Sequence, residues 1–491
     1  LSASTNETVI SYSVEQSPGV LAGSPTFKSL EVNDISTLGA TITTTPRNPI
    51  ANTRGPRKGS PTDLDSSVEL PADLTIDSFL DFSQGFMYSS WYSQAKFDPT
   101  AVTSTGYTVG SGGNLDAGTL IYARNFQNLE NNGLKVVGSA STSTEIKTTG
   151  LVAESSPPAG AMVEVAGFQG ASGDLQINAS GDLTSTALDF TTLGIIVGQK
   201  IYIGGNETAT QFAGTNNKGL ARVRVVEANK LTLDHRDQDY TTDTGAGKTI
   251  QIFIGSFIRD QPVQDPKFLR ETYTFEAAYA GLGAASNENW YEYAKGNYAN
   301  TFTFSNPGQA LCTLTMGFVG LDTAVPTQTQ VSATRKVPTR TSAFNTSSDY
   351  TRIRVNKADE TGLTSYFDSL EIAINNNVNA RKVLGTLGAA FVNIGSLEVT
   401  GTADVIFTDT GVIEAVRNNC TVSLNYGVRN QDGALDFSIP SMTLGGADKS
   451  FPRNESITLS ITGNAFTDTF FGYVFGITYF PYMPGSTAAV C

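Results

Sequence analysis

Histidine occurs once in these 491 residues, as His235, so a Ser–His or Cys–His nucleophile pair would have to form there. It sits in Leu233-Asp-His-Arg-Asp-Gln-Asp239, which reads as the end of a strand with no nucleophile close by in sequence. Around it Asp234, Asp237, Asp239 and Asp243 offer carboxylate oxygens of the kind that hold calcium. Their spacing is not that of an EF-hand, and a solvated loop is the expectation. Gly245-Ala-Gly-Lys-Thr249 looks like the end of a phosphate-binding loop, but the glycine required five residues before Gly247 is Thr242. The following Lys248–Ile254 alternates as a strand instead of opening a helix, so the motif fails twice. Acidic residues abound without any pair standing out for acid–base work. Cys312, Cys420 and Cys491 are too few for a disulfide framework. The first two are expected as buried strand residues and the third as exposed and inert. No catalytic residue, metal site or cofactor is expected.

The segment Pro46–Asp65 carries Arg47, Arg54, Arg57 and Lys58 among Pro and Gly, and reads as a long polar loop. Two uses stand side by side: contact with acidic surface on a neighbouring subunit, or simple solvation. A formal net charge of −14 argues against a protein that grips DNA or RNA, since phosphate binding needs a surplus of Lys and Arg on the contact face.

The elements that must carry these residues are strands. Charged residues make up 16% of the chain and Gly reaches 48 residues, while apolar residues come in short alternating runs, the composition of an all-β protein rich in turns. One pattern is written twice. Val68, Leu70, Ile76, Asp77 and Phe79 stand at the spacing of Val405, Phe407, Ile413, Glu414 and Val416. Tyr273–Gly281 answers to Thr421–Gly427, Asn300–Phe304 to Ala434–Ile439, and Cys312-Thr-Leu-Thr-Met316 to Ile457-Thr-Leu-Ser-Ile461. Two copies of one β unit mark a part built for repetition. In the first copy, Phe27–Val32 and Gly39–Thr44 are expected strands, the basic loop follows, and Ser67–Leu70 resumes. Asp73 or Thr75 then caps a helix that Gly85 stops.

The first copy breaks off near Pro99 and resumes at Ile258. The expected organisation is a discontinuous first domain (1–99 and 258–325), an inserted β region (100–257) of two small modules, and a second domain (326–491). Within the insert, Leu120-Ile-Tyr122 followed by Asn131–Val137 is echoed by Ile201-Tyr-Ile203 followed by Asn216–Val226, with Ser155–Gly160 as the joint. Thr323–Ser348 links the two large copies. Leu1–Gln16 is polar and does not read as a signal peptide, and the apolar run Phe470–Met483 is too short to span a bilayer. A soluble chain without membrane binding is the expectation.

Two strands, a long loop, a strand, one short helix and closing strands ending in Ile457–Gly463 and Tyr473–Phe480 together resemble the tail tube proteins of long-tailed bacteriophages, over about 1–99 and 258–491. The resemblance implies two β-sandwich or barrel domains, each flanked by a short helix. It implies subunits joined sheet to sheet into rings, and rings stacked into a hollow tube in the virion tail, assembled in the host cytoplasm. The partners implied are the chain itself, a tape-measure protein, tail terminator and tail-tip proteins, with DNA passing through unbound. The segment matching the loop that reaches the next ring is Pro46–Asp65, which makes Arg47, Arg54, Arg57 and Lys58 candidate inter-ring contacts. Family rings are six-fold with one fold per subunit, so a duplicated chain leads to the expectation of a trimer with pseudo-six-fold symmetry. The insert is expected outside the bore and dispensable for assembly. A phage tail adhesin or fibre, a glycan-active β-fold enzyme, and a surface-layer or pilus subunit are the competing readings.

Overall fold

The computed structural model describes residues 4–50, 52, 54–55, 57–139, 141–281, 288–337, 341–357, 366–408 and 410–485. They form an all-β molecule with two α-helices, in which no sheet closes into a barrel among the described residues. Cys491 lies outside them.

The first copy opens with β1 (Thr8–Ser17), β2 (Thr37–Arg47) and β3 (Arg57–Asp73), followed by α1 (Ile76–Met87). Leu64, Ser66, Val68, Leu70 and Ala72 alternate inward along β3, the period-2 pattern of a half-buried strand. Thr75 caps α1 through a reciprocal pair of hydrogen bonds with Ser78, and of the two expected caps it is the one used. Gly85 does not end the helix, which runs two residues further to a left-handed Tyr88. Its role is close approach: a Cβ at Gly85 would lie 2.4 Å from the Tyr273 hydroxyl oxygen.

The insert contributes β4 (Thr119–Arg124), β5 (Met162–Gln169), β6 (Lys200–Ile203), β7 (Gly219–Glu227) and β8 (Gln251–Ile254) among shorter strands. Two cores fill it, one around Tyr107, Ile121 and Val163, the other around Ile177, Ile201 and Leu231. Antiparallel pairing of β5 with β8 makes one sheet continuous across both. The sequence echo has a shared physical device. Asn131 and Asn217 each stand two residues before a glycine of positive φ, Gly133 and Gly219. Each is fully buried and exchanges two hydrogen bonds with one backbone unit, that of Val152 at 2.9 Å and that of Thr241 at 2.8 Å. The Pro157-Pro158 segment precedes β5, which packs Val163 and Val165 into the first core, so the passage between cores follows Gln169.

The first copy then resumes with β9 (Thr272–Ala280), β10 (Asn289–Pro307) and β11 (Thr313–Gly320). The second copy runs β12 (Tyr350–Lys357), β13 (Phe367–Asn375), β14 (Glu398–Ile406), α2 (Gly411–Arg417), β15 (Thr421–Asn430), β16 (Gly433–Ser450), β17 (Thr458–Ala465) and finally β18 (Gly476–Phe480). In the first copy neighbouring strands follow the order β1-β9-β10-β11-β3-β2. In the second they follow β12-β15-β16-β17-β14-β13. The two orders coincide strand for strand. Two matches made in sequence slip: Asn300–Phe304 lies opposite β11, whereas Ala434–Ile439 lies opposite β15 and β18, an earlier stretch of its strand, and Val405 faces Leu459, whose counterpart Leu314 faces Ala72 and not Val68.

Candidate assembly interface

The basic segment is a hairpin arm, not a loop. β2 extends to Arg47 and β3 starts at Arg57, opposite it, leaving the connection at 48–56. Thr41–Thr45, with Ile42 among four threonines, has the β propensity to continue the ladder. Pro61 is accommodated by a register shift near Thr44. Arg47, Arg54, Arg57 and Lys58 are all exposed at the far end of this arm, and among the described residues none of the four makes an ion pair within the chain. The structure therefore brings them together at one tip.

The two copies meet along a ladder in which β10 pairs with β13, from Thr301 opposite Asn375 to Pro307 opposite Ser369. Their cores merge into one cluster: Phe79 of α1 lies edge-on to both Phe302 of the first copy and Phe437 of the second, at centroid separations of 6.1 and 5.8 Å. The connection after β13 reaches over the first copy's arm. Lys382 donates to Asp63 and, at 2.6 Å, to Asp65, and the Leu64 amide donates to the Leu387 carbonyl at 3.2 Å. These partners lie more than 300 residues from Lys382 in sequence, with no local signal to join them.

The insert belongs to the first copy in sequence yet packs on the second. Leu120, Tyr202, Leu220 and Phe253 cover Ala434, Phe480 and Met483. The short strand Ser256–Arg259 pairs with β18. Arg354 donates to the Arg236 and Asp237 carbonyls at 2.8 and 2.9 Å, and Arg352 pairs with Asp237 at 2.8 Å. The expectation that the insert is dispensable meets a physical objection here: excising it would expose the apolar surface of Phe480 and leave buried Arg352 without its carboxylate.

His235 lies in this contact, half-buried and with a left-handed backbone. A hydroxyl does stand beside it: Ser423 Oγ is 3.2 Å from Nδ1, a pairing hidden in sequence by 188 residues of separation. The pair is a poor nucleophile–base couple. Burial, then the cations Arg222, Lys200, Arg352 and Arg354, hold the imidazole well below its ordinary range, so it is neutral and weakly basic. The His235 carbonyl instead accepts from Lys200 Nζ at 3.3 Å and Arg352 Nη2 at 3.1 Å. Lys200 is itself wholly buried, which lowers its pKa, and buried Asp436 nearby is raised for the same reason.

Three of the four acidic residues near His235 take structural tasks, and Asp239 is exposed. Asp234 forms a bidentate pair with Arg222 at 2.8 and 2.9 Å, Asp237 accepts from the Leu220 amide, and Asp243 accepts from the amides of Gly214 and Gly245. Among the described residues no three His, Cys, Asp or Glu side chains are grouped to hold a metal. Gly245 and Gly247 form a turn at positive φ whose Lys248 reaches the Thr208 carbonyl, and the strand expected from Lys248 begins at Gln251. Cys312 is fully buried beside Tyr426, and burial pushes its thiol up to about 11. Cys420 is half-buried and precedes β15, its amide donating to the Ala415 carbonyl as α2 ends. No helix is long and apolar enough to cross a membrane among the described residues.

Two comparisons bear on what this arrangement serves. The adhesin BmaC autotransporter of Brucella suis biovar 1 (strain 1330) is 24% identical over 399 residues, 72% of this chain and 11% of that protein. The chain thus spans about a tenth of the length of that relative. A family model described as phage tail tube protein matches residues 5–465, from before β1 to the end of β17. Nearly the whole chain is covered, insert included, and the chain belongs to the phage tail tube protein family.

Proposed function

We propose that three copies of this chain close into a ring of pseudo-six-fold symmetry, and that such rings stack into the hollow tube of a phage tail through which the genome passes. The observation that carries this reading is the strand order repeated in both halves and already joined once, through β10 and β13. A chain with two equivalent units has one such junction fixed covalently and leaves the others to be made between chains. Pairing edge strands around a ring covers backbone groups that would otherwise template aggregation.

The working division is 1–99 with 258–325, 100–257, and 326–491, with the inserted region on the tube's exterior. The tip carrying Arg47, Arg54, Arg57 and Lys58 is the contact to the next ring, where it meets acidic surface, as Lys382 meets Asp63 and Asp65 inside the chain. An overall charge of −14 suits a conduit, because carboxylates facing the bore repel DNA phosphates. The role is structural, without a catalytic step or cofactor. The partners are the chain itself, a tape-measure protein, and terminator and tail-tip proteins in the virion tail, assembled in the host cytoplasm.

The adhesin similarity favours a second reading, a tail adhesin that binds a host surface. Negative-stain imaging of the purified protein separates the two. Hollow tubes or stacked rings are expected; dispersed particles that bind host cells and never form rings would favour the adhesin.

A further inference from the structure

Along β10 one edge is occupied first by β9, opposite Asn289–Tyr298, and then by β13, opposite Thr301–Pro307, while the other edge carries β11. β16 is built alike. One edge carries β15 as far as Thr443, and the other carries β18 and then β17. Beyond Thr443 the first edge has no further strand among the described residues, and Gly446, Asp448, Lys449 and Ser450 are exposed. The corresponding stretch of β10 is covered, with Phe302, Phe304 and Asn306 buried. What fills that place on β10 is β13, the hairpin partner of β14. The equivalent hairpin partner in the first copy is β2, whose side away from β3 carries no strand among the described residues and whose Thr41–Arg47 is exposed throughout.

We propose that the free edge of β2 pairs antiparallel with Gly446–Ser450 of β16 in a second copy of this chain, repeating between chains the junction that β13 and β10 make within one. This rests on the ring reading above and adds to it which edges meet and in what register. Two anchors fix the equivalence of β10 and β16. Tyr298 is the last residue opposite β9 and the first opposite β11, as Thr443 is the last opposite β15 and adjoins Met442, the first opposite β17. Phe304 faces Leu314 as Lys449 faces Leu459, the same displacement along the chain. Leu314 in turn faces Ala72 as Leu459 faces Val405, which aligns β3 with β14 and so β2 with β13. Carrying the β10–β13 register across these anchors sets Thr37 opposite Ser450 and, past the register shift between Gly446 and Asp448, Ala40 opposite Gly446. Side chains directly opposite on an antiparallel pair have Cβ atoms about 5 Å apart, within reach of a short cross-linker.

The test is Thr37→Cys with Ser450→Cys in the full chain, in a background with Cys420 and Cys491 changed to serine, treated with a short bismaleimide after assembly. Denaturing gels are expected to show linked dimers and trimers ending at three chains, and each single-cysteine variant none. Rings or tubes in the microscope that still run as monomers on the gel would overturn the edge assignment while leaving the ring reading standing. A wild-type protein that forms neither rings nor tubes would remove both. Should the double variant fail to assemble, hydrogen exchange on wild-type tubes decides. Amides of 37–40 and 446–450 are expected to slow at least tenfold relative to unassembled chain, and unchanged exchange there would overturn the proposal.

Discussion

The two copies share a strand order but differ in the length and capping of their helix, and the contrast locates where each is held together. In the first copy α1 runs 12 residues from a complete capping box and drives Phe79, Phe82 and Phe86 into an aromatic cluster with Tyr12, Tyr273, Phe302 and Phe318. In the second, α2 has 7 residues, Thr410 gives its backbone no side-chain cap, and Val412 and Ala415 are its buried residues. α1 also touches Phe437 of the other copy, so it stabilises the junction as well as its own sheet. The second copy draws support instead from the insert, through Phe480 and the Arg352–Asp237 pair. Duplicated units in one chain are thus free to diverge wherever a neighbour supplies the missing packing.

The largest expected effect that would break this contrast is in α1. Phe82→Ala removes a ring buried among four aromatics and should cost about 3–5 kcal/mol in urea unfolding, whereas Val412→Ala in α2 should cost about 1–2 kcal/mol. Equal losses would show that the two helices do the same job. Gly85→Ala comes next. The added methyl meets the buried Tyr273 ring, and overpacking of this kind should cost about 1–3 kcal/mol, although alanine is the better helix former. A stabilised variant would mean that Tyr273 has room to move.

The contact between the insert and the second copy is sharpened by pH. His235 stays neutral in the fold because burial and its cationic neighbours depress its pKa, whereas in the unfolded chain it titrates near its ordinary value of about 6.5. Its contribution is therefore complete above that value and is lost as pH falls, by up to about 1.4 kcal/mol per pH unit. His235→Gln should flatten the stability profile between pH 6.5 and 5, read by thermal unfolding across that range. An unchanged slope would place the acid sensitivity elsewhere. The smallest effect concerns the caps: Thr75→Ala should cost about 1 kcal/mol, and Thr410→Ala only a few tenths, in the same unfolding assay.

Much of the architecture is legible in the residues. The strand at Val68 and Leu70, Thr75 as a cap and the Leu314/Leu459 echo depend on local pattern, which survives in sequence. The arm was misread because Pro46, Gly55, Pro56 and Gly59 punctuate it like a loop. An edge strand tolerates proline, and the facing threonines carry the ladder. The Ser423–His235 contact and the insert's seat on the second copy had no local signal, since each depends on tertiary contacts across more than 100 residues. The exposed tip with Arg47 and Arg57 was legible as a charge cluster, but only the hairpin shows that all four cations end at one place.

The central claim, that one chain supplies two of six equivalent positions in a ring, is tested most directly by the mass per ring, from native mass spectrometry or electron microscopy of assembled tubes. Three chains per ring, with six similar lobes around the bore, is the predicted result. Six chains per ring would contradict it.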